Sequence, residues 1–391
     1  MINNDLRSLA LLERLIAFDT TSRNSNLELI EFIQTYLADF GVTAELVYNE
    51  TDDKANLYAT LGPTDRPGIA LSGHTDVVPV DGQQWDSDPF QLTQRNHALY
   101  GRGTADMKSF IAVCLTLVPD MLRHSLKTPI HFAFSYDEEI GCQGVRTLLA
   151  ELAQRPIRPQ ACIIGEPTEM RVIHAHKGKL SMRCHVHGLE CHSGLAHLGV
   201  NAVEAAAELV AFLKQRARQF RDQGPYDAAF SPPYTSVHTG VIHGGTALNI
   251  VPKHCSFDFE FRHLPEDDPE ALLADVRAFA ETALLSEMQA VAENTGFSWE
   301  PLSRIPGLST PEDDEIVRLA KALADTNDAG KVSFGTEGGL FQQIAIPTVI
   351  CGPGSIKQAH KPNEFIALEQ IARCETFIKR LIERLAETPT P

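Results

Sequence analysis

The chain has 391 residues, 43% of them hydrophobic, with 26 glycines and 23 prolines and no long biased tract. That length exceeds what one hydrophobic core usually supports, so two compact units are expected, and the composition excludes a disordered or fibrous protein. With 34 basic against 51 acidic side chains the net charge is -17, a field that repels phosphate backbones and anionic bilayers and makes nucleic acid and membranes poor partners.

Asp5, Arg7, Glu13 and Arg14 interrupt the stretch where a signal peptide needs an apolar run, and no segment is long and uncharged enough to span a bilayer. The expected location is the cytoplasm. The eight cysteines form no CxxC pair and several lie in apolar runs such as Ala161-Cys162-Ile163-Ile164, which reads as buried free thiols. Helical spacing of apolar residues over Leu6–Ala17 and Leu27–Phe40 predicts two amphipathic helices, with Gly41 stopping the second. Short apolar or alternating runs at Thr43–Tyr48, Leu57–Leu61, Ile69–Ser72, Ile130–Ser135, Ala161–Ile164 and Thr348–Cys351, several of them separated by helical patterns, predict an α/β mixed sheet with parallel strands.

Between Lys179 and Pro301 the order changes. Strand Leu180–Val186, helix Ala202–Gln219, strands Ser236–Ile242 and Cys255–Arg262, helix Pro269–Leu284 and a strand near Ser298–Leu302 give the βαββαβ order of a ferredoxin-like unit. A domain of residues 179–302 is therefore expected as an insertion into a catalytic domain of residues 1–178 and 303–391, which resumes with helix Glu312–Thr326. The Thr-Pro-Thr-Pro tail should fray.

Four predicted strands run into metal-ligand residue types at their C-terminal ends: Gly73-His74-Thr75-Asp76, Tyr136-Asp137-Glu138-Glu139, Gly165-Glu166-Pro167-Thr168, and the loop from Thr348–Cys351 to His360. The carboxyl ends of strands line the ligand crevice of an open α/β sheet, so residues far apart in sequence converge there. Asp106 adds a fifth element after the Gly101-Arg102-Gly103 turn, at the start of the helical pattern Met107–Met121. Each has an ordinary alternative: Asp106 as a helix N-cap, Glu138-Glu139 as a solvated pair, His74 as a surface histidine. Taken together those alternatives need five coincidences at element ends. Residues two apart in extended chain share a side, so Asp76 is placed to accept the second N–H of His74. Adjacent Glu138 and Glu139 point apart, so that one can bind a metal while the other carries protons.

These motifs, with Val77-Val78-Pro79, Gly103-Thr104-Ala105-Asp106-Met107-Lys108 and Gln358-Ala359-His360-Lys361-Pro362-Asn363-Glu364, make the chain resemble the co-catalytic zinc aminoacyl hydrolases over nearly its whole length. That family includes acetylornithine deacetylase, succinyl-diaminopimelate desuccinylase, aminoacylase and carboxypeptidase G. The resemblance implies that the inserted domain is a lid and dimerisation domain, and that the protein is a homodimer. It also implies two divalent ions, zinc by default with cobalt or manganese as alternatives. Asp106 would bridge them, His74 and Glu166 completing one site and Glu139 and His360 the other. Glu138 would be general base to a water shared by ions about 3.5–4 Å apart, with Asp76 supporting His74. The segment Gly188-Leu189-Glu190-Cys191-His192-Ser193-Gly194 resembles the family's lid motif, which makes His192, one of fifteen histidines, a candidate oxyanion donor in the neighbouring subunit's site. Asn249 and Arg262 match positions that contact substrate, Arg262 through a carboxylate. Ala175-His176-Lys177-Gly178 and Gly335-Thr336-Glu337 resemble the acetylornithine enzymes most, with Gly338-Gly339 as a departure where Ala-Pro is usual. The resemblance thus implies hydrolysis of N2-acetyl-L-ornithine, with Glu337 facing the substrate ammonium. Related N-acyl-amino-acid hydrolysis, or metal binding without turnover, are the other readings.

Overall fold

The computed structural model describes residues 7–386. The Thr-Pro-Thr-Pro tail, Leu6 and Asp5 lie outside the described residues. Two compact units are present, one of Met1–Ala175, Leu308–Lys331 and Thr336–Pro391, the other of His176–Gly307 and Val332–Gly335. Compared with the expected 179–302, the second unit begins earlier, ends later and takes in Val332–Gly335, a piece that sequence placed in the catalytic domain.

The first unit is built on a mixed sheet. Its strands run in the order Ala44–Tyr48, Ala55–Leu61, Ile130–Ser135, Ile69–His74, Ala161–Pro167, Thr348–Gly352, Ile173–His176 and Leu308–Ser309. The four central strands, from Ile130–Ser135 to Thr348–Gly352, are mutually parallel, and every residue in them is buried. This burial on both faces explains their unbroken apolar runs. Helix Leu27–Asp39 buries Leu29, Ile30, Ile33 and Leu37, the stripe that its spacing predicts.

The expected helix over Met107–Met121 is two helices, Lys108–Thr116 and Val118–Arg123, because Pro119 stands in the first turn of the second. All nine residues of Lys108–Thr116 are buried. Its Lys108 ammonium is satisfied at the end of helix Ser8–Ile16, donating to the carbonyls of Leu15 at 3.0 Å and Phe18 at 2.9 Å, where cations are favoured. Phe110 from the same helix presses on Gly165, where a Cβ would lie 2.0 Å from the ring; the glycine lets helix and strand close up beside Glu166.

The second unit has the order strand Gly178–His187, helix Ala202–Gln223, strands Ser236–Gly244 and His254–His263, helix Pro269–Phe279 and strand Gly296–Ile305. Its antiparallel sheet places Gly178–His187 and His254–His263 at the centre. Along His254–His263, Cys255, Phe257, Phe259 and Phe261 are buried and the alternating residues are half-exposed. The buried set packs with Leu209 and Leu213 of one helix and Leu273 and Val276 of the other. Each buried phenylalanine there contributes about 1.5–3 kcal/mol. The helix expected to reach Leu284 stops as an α-helix at Phe279 and continues through a π-helical turn, Ala280–Leu285, into Ser286–Val291. Seven cysteines are buried and free, while Cys191 is half-buried and also free. Among the described residues no helix is long and apolar enough to cross a membrane.

Candidate metal centre

His74 ends strand Ile69–His74, Glu166 lies within Ala161–Pro167, and Glu138 and Glu139 follow Ile130–Ser135. Because these strands are parallel neighbours, their C-terminal ends deliver the side chains to one place. Asp106 precedes helix Lys108–Thr116 but does not cap it with its side chain. Its carboxylate goes elsewhere: one oxygen is 3.0 Å from His74 Nε2 and the other 3.5 Å from His360 Nε2. His74 Nε2 is 3.5 Å from Glu166, and His360 Nε2 is 3.0 Å from Glu139. All of these except His360 are buried or half-buried, His360 being exposed on its loop. Ligand atoms of His74, Asp106 and Glu139 cluster within 4.8 Å, as do those of His74, Glu138 and Glu166.

The Asp76 arrangement differs from the sequence expectation. His74 Nδ1 meets the main-chain carbonyl of Asp76 at 2.9 Å, and the carboxylate lies farther off at 3.5 Å. The carboxylate instead accepts from Ser22 Oγ at 2.7 Å and from the amides of Glu138 and Glu139 at 3.1 and 3.3 Å. Asp76 therefore joins the His74 loop to the Glu138-Glu139 loop. Sequence reasoning missed Ser22, and also Lys54, whose ammonium bridges the Ser22 carbonyl and Asp137 at 2.6 Å each; neither stands at the end of a predicted central strand.

Electrostatics test whether cations fit. Four carboxylates face two imidazoles in a buried space, so the fully ionised set carries surplus negative charge, and without cations the carboxyls hold protons instead. Burial, with neighbouring carboxylates, pushes Glu138 up to about 8 and Glu139 up to about 7, and raises Glu166 well above the carboxylate range. Hydrogen bonds that His360 donates to Asp106 and Glu139 raise its imidazole to about 10. Against burial, the Asp106 hydrogen bond and the nearby Asp76 and Glu166 carboxylates hold His74 well above its ordinary value. Imidazole and carboxylate donors with surplus negative charge are the set that divalent metals take, so the residues fit two such ions.

Glu337, expected to face the substrate ammonium, lies buried in the first unit. It is 1% exposed, and its oxygens accept from Ser135 Oγ at 2.5 Å and Ser72 Oγ at 3.2 Å. Burial pushes it up to about 7. Its carboxylate thus ties strand Ile69–His74 to strand Ile130–Ser135.

The remaining sequence candidates lie in the second unit. His192 and Asn249 are exposed and come together: Ser193 N donates to Asn249 O at 3.0 Å, and Val251 N to Cys191 O at 2.9 Å. His192 Nδ1 accepts from Gly194 N at 3.0 Å, which leaves the neutral ring's proton on Nε2. Arg262, half-exposed, is held through Nε by Glu260 at 3.0 Å.

Residues 70–384 match the model of peptidase family M20/M25/M40. The chain belongs to this family. It is a hydrolase acting on amide bonds. Its relatives include an acetylornithine deacetylase of Photorhabdus laumondii, 35% identical over 368 residues, 94% of this chain and 92% of that protein. Among solved structures, aminopeptidase PepT from Bacillus cereus shares the fold with a TM-score of 0.74 at 22% identity, over 98% of this chain and 99% of that one. A dinuclear metal-binding M20 peptidase from Bacillus subtilis does so with a TM-score of 0.65 at 15% identity, over 98% of this chain and all of that one.

Proposed function

We propose that this M20 hydrolase removes the acetyl group of N2-acetyl-L-ornithine, giving L-ornithine and acetate, as a cytoplasmic step of arginine biosynthesis. The observation that carries the chemistry is Asp106, with one oxygen toward His74 and the other toward His360. The substrate rests on the near full-length likeness to acetylornithine deacetylases.

His74, Asp106 and Glu166 would hold one zinc ion, and Asp106, Glu139 and His360 the second. When bound, the ions supply Lewis acidity to the acyl carbonyl and acidify water. Glu138 is the proton carrier: Cys142 Sγ lies 3.3 Å from Oε1, leaving Oε2 to take a proton from the attacking water and return it to the departing amine. Asp76 keeps Glu138 in register with His74 through its amide contacts. The residues 179–302 form a lid and dimerisation domain, and in the homodimer His192 donates from Nε2 to the developing oxyanion of the partner copy. Asn249 stands beside it, and Arg262 offers its terminal nitrogens to the substrate carboxylate.

The test is amine release from N-acetylornithine, N-acetylcitrulline, N-acetylmethionine and succinyl-diaminopimelate by apo-protein, before and after zinc or cobalt is added. Metal-restored release led by N-acetylornithine is expected. Release led by another substrate would keep the chemistry and move the specificity, and no release from any of them with metal bound would refute the enzyme reading.

A further inference from the structure

Glu364 lies four residues past His360 and is 1% exposed. Its Oε1 accepts from the amides of Ala105 at 2.8 Å and Asp106 at 3.1 Å. Its Oε2 accepts from Gly103 N at 3.1 Å and from Arg102 Nη1 at 2.7 Å, in an ion pair whose partners are both 1% exposed. Gly101 N also donates to the Glu364 carbonyl at 3.0 Å. One side chain therefore takes the amides of Gly103, Ala105 and Asp106 and a guanidinium nitrogen of Arg102 from the turn that presents Asp106. The same junction restrains His360: Arg102 reaches Gln83 Oε1 at 2.7 Å and the Lys361 carbonyl at 3.4 Å, and Gln83 Nε2 donates to the His360 carbonyl at 3.1 Å.

His360, Lys361 and Pro362 are exposed, so little packing fixes the imidazole. His74 and Glu166, by contrast, are held in buried central strands. The two halves of the cluster thus differ in what orients them, strand backbone for one and this anchored loop for the other. We propose that Glu364 is a positioning residue for the ion held by Glu139 and His360, locking the Asp106 turn and the His360 loop into one rigid piece. This rests on the ligand assignment above. Supporting groups of this kind are worth about 10–100-fold in metal affinity.

The experiment is calorimetric titration of full-length apo-protein with zinc, wild type against Glu364→Gln and Glu364→Ala, with the melting temperature of each apo-protein measured beside it. The wild type should take two ions. In the variants one of them should weaken by about 10–100-fold and the other much less, while the apo melting temperature falls in both because Arg102 loses its buried partner. In a His360→Asn background Glu364→Gln should have no further effect on the weaker ion, because the two residues act on it together. Equal weakening of both ions, no weakening, or full additivity with His360→Asn would overturn the proposal. So would failure of both variants to fold with zinc in excess, which would make Glu364 a residue of the fold alone. A wild type that binds no zinc would instead refute the ligand assignment itself.

Discussion

Glu138→Gln separates proton transfer from metal binding, because it exchanges one oxygen for an amide nitrogen without changing shape. The turn that carries it does not depend on the carboxylate: Gly141 N and Cys142 N donate to the Glu138 main-chain carbonyl at 2.9 and 2.8 Å. Asp76 holds the Glu138 amide at 3.1 Å, and Glu139 keeps its contact with His360. The glutamine should therefore occupy the same place and leave the ligand set standing. A positioned general base is worth about 10²–10⁴ in rate, or about 2.7–5.4 kcal/mol of barrier at 1.36 kcal/mol per decade. Steady-state kinetics on N-acetylornithine should show kcat lower by that factor, while metal analysis after dialysis still finds two ions per chain. A variant within about tenfold of wild type would remove Glu138 as the base. One that loses an ion would make Glu138 a ligand, a role its nearness to His74 and Glu166 also allows.

Glu337→Gln removes the charge that accepts from Ser72 and Ser135 and should cost the fold about 1.5–3 kcal/mol, measured by thermal unfolding. Activity on N-acetylornithine and N-acetylmethionine should keep the same ratio, whereas selective loss of the ornithine substrate would show that the carboxylate meets the ammonium after all. His192→Asn should lower kcat by about 10²–10³ as an oxyanion donor does, with KM and metal content held, and an unchanged kcat would rule it out. Buried His131 takes contacts from Tyr58 and Thr60 on Nδ1, has an unpartnered Nε2, and is pushed by burial down to about 4 from 6.5. Since the unfolded chain binds this proton first, the histidine's contribution is complete above about pH 6.5 and is lost as pH falls through 4. At pH 5 the loss amounts to about 2 kcal/mol; the melting temperature of the wild type should fall more between pH 7 and pH 5 than that of His131→Gln, and equal falls would contradict the burial argument.

His74, Glu138, Glu139 and Glu166 were legible as candidate ligands because they stand where a strong apolar run ends, and such a run is buried on both faces in a parallel sheet. The βαββαβ order was legible for the same reason, alternation along Cys255–Arg262 giving one packed face. What escaped was whatever depends on where a loop goes in space. Period and composition say nothing of Ser22 meeting Asp76, or of the main-chain carbonyl of Asp76 reaching His74 before its carboxylate does. Strands Thr93–Arg95, Ala98–Tyr100 and Phe365–Ala367 are three residues each, too short for a period to register. The contacts of Glu337 with Ser72 and Ser135 escaped as well, because a resemblance transfers a position in the motif, not the direction in which its side chain points.

Three buried carboxylates outside the proposed ligand set share one form of attachment. Asp76 joins the His74 loop to the amides of Glu138 and Glu139, Glu337 joins the strand before His74 to the strand before Glu138, and Glu364 joins the Asp106 turn to the His360 loop. Each links two segments that carry candidate ligands, so each converts separate chain ends into a fixed relative geometry. Carboxylates suit this task because one group accepts several hydrogen bonds in two directions, and bonds to an ionised acceptor are the stronger kind. The cost is more negative charge buried around a cluster already in surplus, and it is acceptable only where cations are to be held. On this argument the abundance of buried acid around His74 is itself a consequence of the metal chemistry, and neutralising any of the three should loosen ligand geometry as well as the fold.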